Sequence, residues 1–454
     1  MRIYDSSEKT LTEFVPLQAN QVGIYYCGAT VQGSPHIGHL RSALAFDVIR
    51  RWLSLSGYDV TVIRNVTDID DKILAKSSES FLPEFTGNKN QPAREPWYAL
   101  AYRFENAFRD DYRTLNILPP TYEPRVTANM PEIIDFISLL VERGNAYAPG
   151  NGDVYFDTYG FTGVKGSYLE GGEPENPVKK DASDFALWKS EKPGEPSDAS
   201  WNSPWGRGRP GWHIECSALA LKYLGADFDI HGGGSDLATP HHANEILQSR
   251  AAGHGFAKYW MHNGSVTVNG EKMSKSIGNT VGLEDVLHDL SGNEARYYML
   301  ATHYRSSMDY SKEAAISAAK GYRKLIAFTK EAGASTSDGE VSSEFKAAMD
   351  EDFNTASAFS ALHSMMKTGK EMLGSGRVKQ AQEIAESILS GLDALGIGQD
   401  AEDMLSESAL DESVLMSGLT ALRETLRKAG NYAAADAIRD VMNQSGVQVK
   451  DASL

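Results

Sequence analysis

A strand–turn–helix–strand pattern near the amino terminus limits the fold more than any other feature of this chain. Residues 22–27 form a short apolar run of β-branched and aromatic side chains, which predicts a buried strand. A turn containing glycine, serine and proline follows, and apolar residues then recur at near-helical spacing from Leu40 to Leu55, before Gly57. Residues 60–66 predict a second strand. Two strands joined by a helix form a parallel βαβ unit, so the sequence predicts an α/β fold.

Length, charge and cysteine content restrict the remaining possibilities. A chain of 454 residues has room for about two to four domains. The net charge of −17 argues against general binding to nucleic acids, although one basic face on an acidic body is compatible with it. The sequence shows no apolar run of about 18 residues and no secretory leader, and its two cysteines cannot form a disulfide framework. These features predict a cytoplasmic protein that does not enter a membrane.

The first candidate site lies where the first helix begins. His36, Gly38 and His39 follow the first predicted strand, and the amino end of a helix offers unpaired N–H groups that suit a phosphate. Gly38 would let a ligand approach the backbone closely. The alternative is a pair of surface histidines on a turn, which two histidines three positions apart do not exclude.

The second candidate site is a basic loop far along the chain. Lys272 and Lys275 stand three positions apart in a segment with serine and glycine, where two ammonium groups could hold a polyphosphate. A solvated basic turn is the alternative for this segment taken alone.

The third candidate site combines the two cysteines with part of a histidine-rich segment. Cys27 ends the first predicted strand, Cys216 lies 189 positions later, and six of the eleven histidines fall between 213 and 262. His241 and Glu245 share one face of a helix if their segment is helical. Two sulfurs, one imidazole and one carboxylate form a plausible zinc set. The alternative is that both cysteines are small buried hydrophobes.

The first two motifs together resemble the signatures of class I aminoacyl-tRNA synthetases. HIGH stands at 36–39 and KMSKS at 272–276, in the order typical of that family. Five further segments are similar to those of cysteinyl-tRNA synthetases in particular: YYCGATV (25–31), RNVTDIDDKI (64–73), GRPGWHIECSA (208–218), DIHGGGSDL (229–237) and PHHANE (240–245). Position 243 departs from the pattern, because it is alanine where that family often has a carboxylate.

The resemblance implies a site for ATP and a site for one zinc ion per chain. The residues that it implies for catalysis at the ATP phosphates are His36, His39, Lys272 and Lys275. The implied zinc ligands are Cys27, Cys216, His241 and Glu245. In that family the metal binds the thiolate of the substrate cysteine, which a hydrophobic pocket alone could not separate from serine.

The resemblance also implies the walls of the substrate pocket. The residues expected to contact the amino acid are Gly28, Thr30, Thr67, Trp212 and Asp236. His231 is expected to contact ATP, which enters with Mg²⁺.

Domain organisation follows from the composition together with the resemblance. The prediction is a doubly wound Rossmann-like catalytic domain over 1–310 with a connective insertion at roughly 98–210. An α-helical bundle over 311–396 and a small C-terminal anticodon-binding module over 397–454 follow. Five basic residues near the end are candidates for contacts with tRNA(Cys): Arg423, Arg427, Lys428, Arg439 and Lys450. A monomer is expected.

Three functions are compatible with these features. The first is a cysteine–tRNA ligase. The second is an ATP-dependent cysteine ligase whose acceptor is the amine of an amino-sugar–inositol conjugate; such relatives lack the anticodon module. The third is a binding paralogue without activity, against which the intact motifs argue.

Overall fold

The computed structural model divides the chain into two compact units, residues 1–397 and 398–454. The structure describes residues 1–88, 91–163, 177–273, 278–337 and 339–398, and beyond these only positions 423, 425, 426, 434, 436 and 438. Among the last, Arg423 is buried, which is contrary to a surface contact with tRNA. The other four basic candidates near the end of the chain lie outside the described residues.

The strands of the first unit form four sheets. In chain order they are β1 (Arg2–Asp5), β2 (Thr10–Glu13), β3 (Gln21–Tyr26), β4 (Asp59–Arg64), β5 (Ala146–Tyr147), β6 (Val154–Phe156), β7 (Phe185–Ser190), β8 (Gly208–Pro210), β9 (Phe228–Gly234), β10 (Ala257–Asn263), β11 (Val266–Val268), β12 (Glu271–Lys272) and β13 (Met308–Tyr310). The sheets have the orders β1-β2, β10-β9-β3-β4, β12-β11-β13 and β5-β6-β7-β8.

The helices of the first unit lie between and after these strands. They are α1 (Ile37–Leu55), α2 (Asp71–Ser80), α3 (Trp97–Thr114), α4 (Met130–Glu142), α5 (Thr158–Thr162), α6 (Trp212–Leu224), α7 (Ala243–Ala251), α8 (Leu283–Leu287), α9 (Gly292–Leu300), α10 (Lys312–Glu331), α11 (Ser343–Met349), α12 (Thr355–Gly374) and α13 (Val378–Ala394). Within the described residues, no helix is both long and apolar enough to cross a bilayer.

The sheet β10-β9-β3-β4 is entirely parallel and confirms the predicted α/β class. In its register, Ile24 of β3 lies opposite Val62 of β4 on one side and Ile230 of β9 on the other. Ile24 and Ile230 are fully buried, as expected for central strands of a parallel sheet. The carboxyl ends of these strands meet at one edge, where open α/β sheets bind their ligands.

The segment between β4 and α6 departs from this parallel pattern. Pro119 and Pro120 lie between its two long helices, α3 and α4, and proline cannot continue an α-helix. The antiparallel sheet β5-β6-β7-β8 follows, and β8 leads directly into α6. The segment therefore leaves the parallel sheet after β4 and returns to it at α6 and β9.

A buried ion pair ties α1 to the rest of this unit. Arg296 of α9 is fully buried and binds Asp47 of α1, while its Nε donates to the carbonyl of Leu395 at 2.7 Å. The backbone N–H of Leu118 donates to the second Asp47 oxygen at 2.8 Å. Burial lowers the pKa of Arg296, and the Asp47 carboxylate opposes that shift.

We expect Asp47→Ala to lower the free energy of unfolding by about 3–5 kcal/mol, because it leaves a buried guanidinium without its carboxylate. Urea unfolding followed by circular dichroism measures the change. Asp110, which pairs with Arg113 at the surface, provides the matched control, and Asp110→Ala should cost less than about 1 kcal/mol. Equal shifts of the urea midpoint in both variants would contradict the prediction.

Candidate active site and metal centre

Four side chains that the sequence scatters over two hundred positions converge at the carboxyl edge of the parallel sheet. Cys27 directly follows β3, Cys216 lies in α6, and His241 and Glu245 lie in the turn before α7 and in its first turn. One donor atom from each lies within 4.8 Å of all the others. The Cys27 Sγ is 3.6 Å from the Cys216 Sγ and 3.6 Å from the Glu245 Oε1. Cys27 is partly exposed and the other three are buried.

The geometry of this cluster fits a metal ion better than it fits a hydrogen-bonded network. The His241 Nε2 lies 3.0 Å from the Glu245 Oε1, yet this buried nitrogen has no hydrogen-bond partner among the described residues. Tetrahedral zinc with bonds of 2.0–2.3 Å separates its ligand atoms by about 3.3–3.8 Å. The sulfur–sulfur and sulfur–oxygen distances agree with that spacing, and two sulfurs, one nitrogen and one oxygen are donors that zinc prefers.

A second set of four donors overlaps the first. It replaces Cys216 and His241 with His231 and His242, whose Nε2 atoms lie 2.9 Å from the Glu245 Oε2 and 3.4 Å from the Cys27 Sγ. Because both sets share Cys27 and Glu245, they describe one centre. The set with two sulfurs matches the donors of structural and catalytic zinc sites more closely.

His231 lies inside the candidate metal cluster, as a member of the second donor set. It is fully buried (0% exposed) beside Glu245, and its ring packs edge-on against Trp260 with centroids 4.7 Å apart. This enclosed side chain supports Glu245 within the cluster, and the contact with ATP that the resemblance implies for His231 stays a prediction.

Burial and mutual contact shift the ligand pKa values in different directions. Burial raises the pKa of the Cys27 thiol well above its usual range, and its hydrogen bond with the Cys216 thiol adds to the effect. Burial also opposes ionisation of Cys216, but the Cys27 thiol and His241 lower the pKa of Cys216 to about 6. Burial disfavours a charged His241, yet the Glu245 carboxylate raises its pKa to about 10. Without a metal, a proton on His241 thus balances negative charge on its neighbours.

Two neighbours orient the candidate ligand His241. The Nδ1 of His213 lies 2.8 Å from the His241 Nδ1, and the Trp212 ring packs over the imidazole with centroids 4.2 Å apart. Trp212 is 39% exposed, so it forms a wall that is open to solvent beside the buried ligands. A hydrogen bond to the ring nitrogen that does not face the metal is a usual way to fix a histidine ligand.

Asn65 and Thr67 connect the two cysteine-bearing segments. The backbone N–H of Gly28 donates to the Asn65 Oδ1 at 2.8 Å, and the Asn65 Nδ2 donates to the Thr67 Oγ1 at 3.1 Å. Thr67 in turn donates to the Glu215 Oε2 at 3.0 Å. A Cβ at position 28 would lie 1.7 Å from the Asn65 carbonyl oxygen, so only glycine fits there. Thr30 aligns with Thr67 in a parallel bridge on the same side.

Four residues of this site were not singled out by sequence reasoning: His213, His242, Asn65 and Glu215. Each stands within two positions of a residue that was, in GRPGWHIECSA, PHHANE or RNVTDIDDKI. Their closeness in the sequence to predicted site residues was the signal that could have identified them.

The histidines of HIGH cap the helix that they begin. The His36 Nδ1 accepts from the backbone N–H of Gly38 at 3.2 Å, and the His39 Nδ1 accepts from the backbone N–H of His36 at 3.2 Å. An Nδ1 that accepts cannot carry the proton of a neutral ring, so these bonds assign the proton to Nε2 in both rings. Both imidazoles are therefore set to donate from Nε2, as contact with phosphate oxygens requires.

The segments that flank KMSKS lie against the HIGH turn. The backbone N–H of Ile37 donates to the carbonyl of Val281 at 3.0 Å, and a Cβ at Gly38 would lie 3.1 Å from the Met273 Cε. Lys272 ends β12, while Lys275 lies outside the described residues. Asp236 is exposed in the turn after β9. The structure thus brings the two signature segments together, although Gly38 and Met273 are 235 positions apart in the sequence.

Comparison with known proteins assigns this arrangement to a family. The family model of the class I tRNA synthetase (C) catalytic domain matches residues 13–320, and that of the DALR domain matches 344–399. The chain is 47% identical to a cysteine–tRNA ligase of Arthrobacter sp. (strain FB24), over 99% of this chain and 98% of that protein. It is also 47% identical to a cysteine–tRNA ligase of Kocuria rhizophila, over 99% and 97%.

Solved structures share the fold at much lower identity. A methionyl-tRNA synthetase of Mycobacterium tuberculosis, in complex with methionyl-adenylate, aligns with 83% of this chain and 90% of its own at a TM-score of 0.56 and 15% identity. A putative arginyl-tRNA synthetase of Campylobacter jejuni covers 84% and 94% at a TM-score of 0.59 and 13% identity. The predicted resemblance is confirmed: the chain belongs to the class I tRNA synthetases, in the cysteine–tRNA ligase family.

Proposed function

We propose that the chain activates L-cysteine with ATP and Mg²⁺, releases pyrophosphate and transfers the cysteinyl group to the 3′ end of tRNA(Cys). The observation that carries this proposal is the convergence of two thiols, one imidazole and one carboxylate at the same sheet edge as the HIGH turn. Every group named in the site comes from one chain, so a monomer suffices. Both cysteines are free, and a reducing cytoplasm would keep them so.

The metal-binding residues in this proposal are Cys27, Cys216, His241 and Glu245. Zinc bound there would supply a Lewis acid that binds the substrate thiolate and accepts the alcohol of serine poorly. The protein positions the amino acid: Trp212 walls the open side of the site, and the Gly28–Asn65–Thr67 chain of hydrogen bonds holds its floor. Thr30 and Asp236 complete the proposed contacts with the amino acid.

The groups proposed to act on ATP are the two imidazoles of HIGH and the two lysines of KMSKS. His36 and His39 would donate from Nε2 at the amino end of α1, where the helix dipole adds to their effect. Lys272 and Lys275 would supply further positive charge to the phosphates. Negative charge grows on the phosphates as pyrophosphate leaves, so these donors stabilise the transition state more than bound ATP.

The choice of acceptor rests on the second half of the chain. A DALR domain matches residues 344–399, and the curated relatives match over 99% of the chain. These matches favour tRNA over an amino-sugar–inositol acceptor, whose ligases lack the anticodon module.

Cysteine-dependent exchange of pyrophosphate with ATP tests the proposal, with zinc quantified in the same sample. We expect exchange with cysteine, none with serine, about one zinc per chain and transfer to tRNA(Cys). Transfer only to an amino-sugar amine would select the other ligase. Failure to exchange with zinc bound would show a binding protein that retains the fold of an enzyme.

A further inference from the structure

An arginine inside α1 has an unusual set of partners. Arg41 stands two positions after the HIGH motif and is 2% exposed. No described carboxylate forms a salt bridge with it, so burial lowers its pKa to about 10 and the side chain is still charged at pH 7. A buried charge without an acidic partner is costly unless hydrogen bonds satisfy it.

Backbone carbonyls from two separate loops accept hydrogen bonds from both Nη atoms of Arg41, whereas its buried Nε has no hydrogen-bond partner among the described residues. Its Nη1 donates to the carbonyl of Gly264 at 2.9 Å and contacts that of Ser265 at 3.3 Å. Its Nη2 donates to the carbonyls of His303 at 3.0 Å and Ser306 at 2.6 Å. Nη1 thus binds the loop at 264–265, and Nη2 binds the loop at 303–306.

Both loops lead into the small sheet that carries KMSKS. Ser265 directly precedes β11, which pairs with β12, and β12 runs into Met273 and the motif. Ser306 lies just before β13, the parallel partner of β11 on its other side. The arginine therefore connects the HIGH helix to the base of the sheet whose strand β12 leads into the KMSKS motif.

We propose that Arg41 is a positioning residue for amino-acid activation, which rests on the function proposed above. Its guanidinium fixes the position of the sheet β12-β11-β13 relative to the HIGH turn. The histidines of HIGH and the lysines of KMSKS can then reach the same triphosphate in the transition state. Lysine cannot replace it, because one ammonium group cannot direct hydrogen bonds to both loops in the geometry of a planar guanidinium. A misplacement of about 1 Å can cost on the order of 100-fold in rate.

The competing explanation is that Arg41 only stabilises the fold. Arg296 provides the matched control because it is also fully buried and also donates to backbone carbonyls, those of Leu395 and Leu115, each at 2.7 Å. Neither of these carbonyls lies in a loop that leads to KMSKS. Arg296→Lys should therefore lower Tm and leave the kinetics of activation unchanged.

A second variant disrupts the joint, by which we mean the contact of Arg41 with the loops at 264–265 and 303–306, without changing Arg41 itself. A Cβ at Gly264 would lie 2.3 Å from the Ser306 carbonyl oxygen, one of the acceptors of Arg41. Gly264→Ala must therefore separate the two loops. It tests the proposal independently if Arg41→Lys does not fold.

Cysteine-dependent pyrophosphate exchange measures the effect in the full-length zinc-bound enzyme. For Arg41→Lys and Gly264→Ala we expect kcat to fall about 10- to 100-fold, with KM for cysteine and zinc content within about twofold of the parent. Because both changes break one joint, the double variant should lose less than the product of the two single effects. Arg296→Lys should keep kcat within about twofold.

Two outcomes would overturn the role of Arg41 while the parent enzyme is active. One is a kcat of Arg41→Lys and Gly264→Ala within about twofold of the parent, and the other is an equal loss of kcat in Arg296→Lys. Absence of exchange in the parent would instead overturn the proposed function, and the role of Arg41 with it.

Discussion

Replacement of His241 by alanine is expected to remove the zinc and to reduce kcat/KM for cysteine by more than about 100-fold, because loss of even an outer-shell partner of a metal ligand costs 10- to 100-fold. The imidazole is one of four candidate donors in one small volume, three of them buried and Cys27 partly exposed, and its Nε2 has no hydrogen-bond partner among the described residues. Without it, two sulfurs and one carboxylate remain. Metal analysis and cysteine-dependent exchange measure the two effects.

His242 is the matched control, because it is equally buried and directly adjacent in the chain. It belongs to the alternative donor set, and its Nδ1 lies 2.7 Å from the Nε2 of His262. We expect His242→Ala to keep about one zinc per chain. Zinc retained in His241→Ala and lost in His242→Ala would assign the ion to the alternative set. A collapse of ATP affinity in His241→Ala would show that the metal is structural.

The second large effect is expected at His36. His36→Ser should lower kcat of pyrophosphate exchange by about 100- to 1,000-fold, the usual loss when one transition-state donor is removed. Serine is a good N-cap residue and can still accept from the backbone N–H of Gly38, so α1 should keep its first turn. The variant therefore separates the imidazole donor from the helix cap. KM for cysteine and zinc content should stay within about twofold of the parent.

Two further variants complete this test. His36→Ala removes both the cap and the donor, so its kcat should match that of His36→Ser. Its free energy of unfolding should be about 1 kcal/mol lower. His288, whose side chain is 79% exposed, serves as a control on a surface histidine, and His288→Ser should retain parental kcat. A kcat of His36→Ser within about twofold of the parent would contradict the role of His36 at the ATP phosphates.

The sequence was sufficient for the parallel core because the evidence there is local. The apolar run of residues 22–27 reflects burial on both faces of one sheet. The helical spacing that follows reflects the face of the helix that packs on that sheet. The structure confirms β3, α1 and β4 in that order. The proline pair at 119–120 likewise agrees with the gap between two helices, because proline cannot continue an α-helix.

The candidate metal centre was only partly accessible from the sequence. The helical pair His241 and Glu245 is a local pattern, but the spacing of Cys27 and Cys216 is equally compatible with two buried hydrophobes. Resemblance to a family linked all four, and strand order explains why they meet. β3 ends beside β9, while α6 before β9, and the turn and first turn of α7 after it, supply the other three candidate ligands.

By itself, the sequence predicted the first βαβ unit, the α/β class, the two signature segments and the four donors that resemble a zinc set. Only the tertiary structure decided that His231 is enclosed beside Glu245, that His213 contacts the ligand His241, and that Arg41 joins two loops. The physical reason is the nature of the partners. Arg41 binds backbone carbonyls, which every residue carries, so no residue type marks them in a sequence. Contacts of this kind exist only once the chain has folded and brought distant backbone segments together.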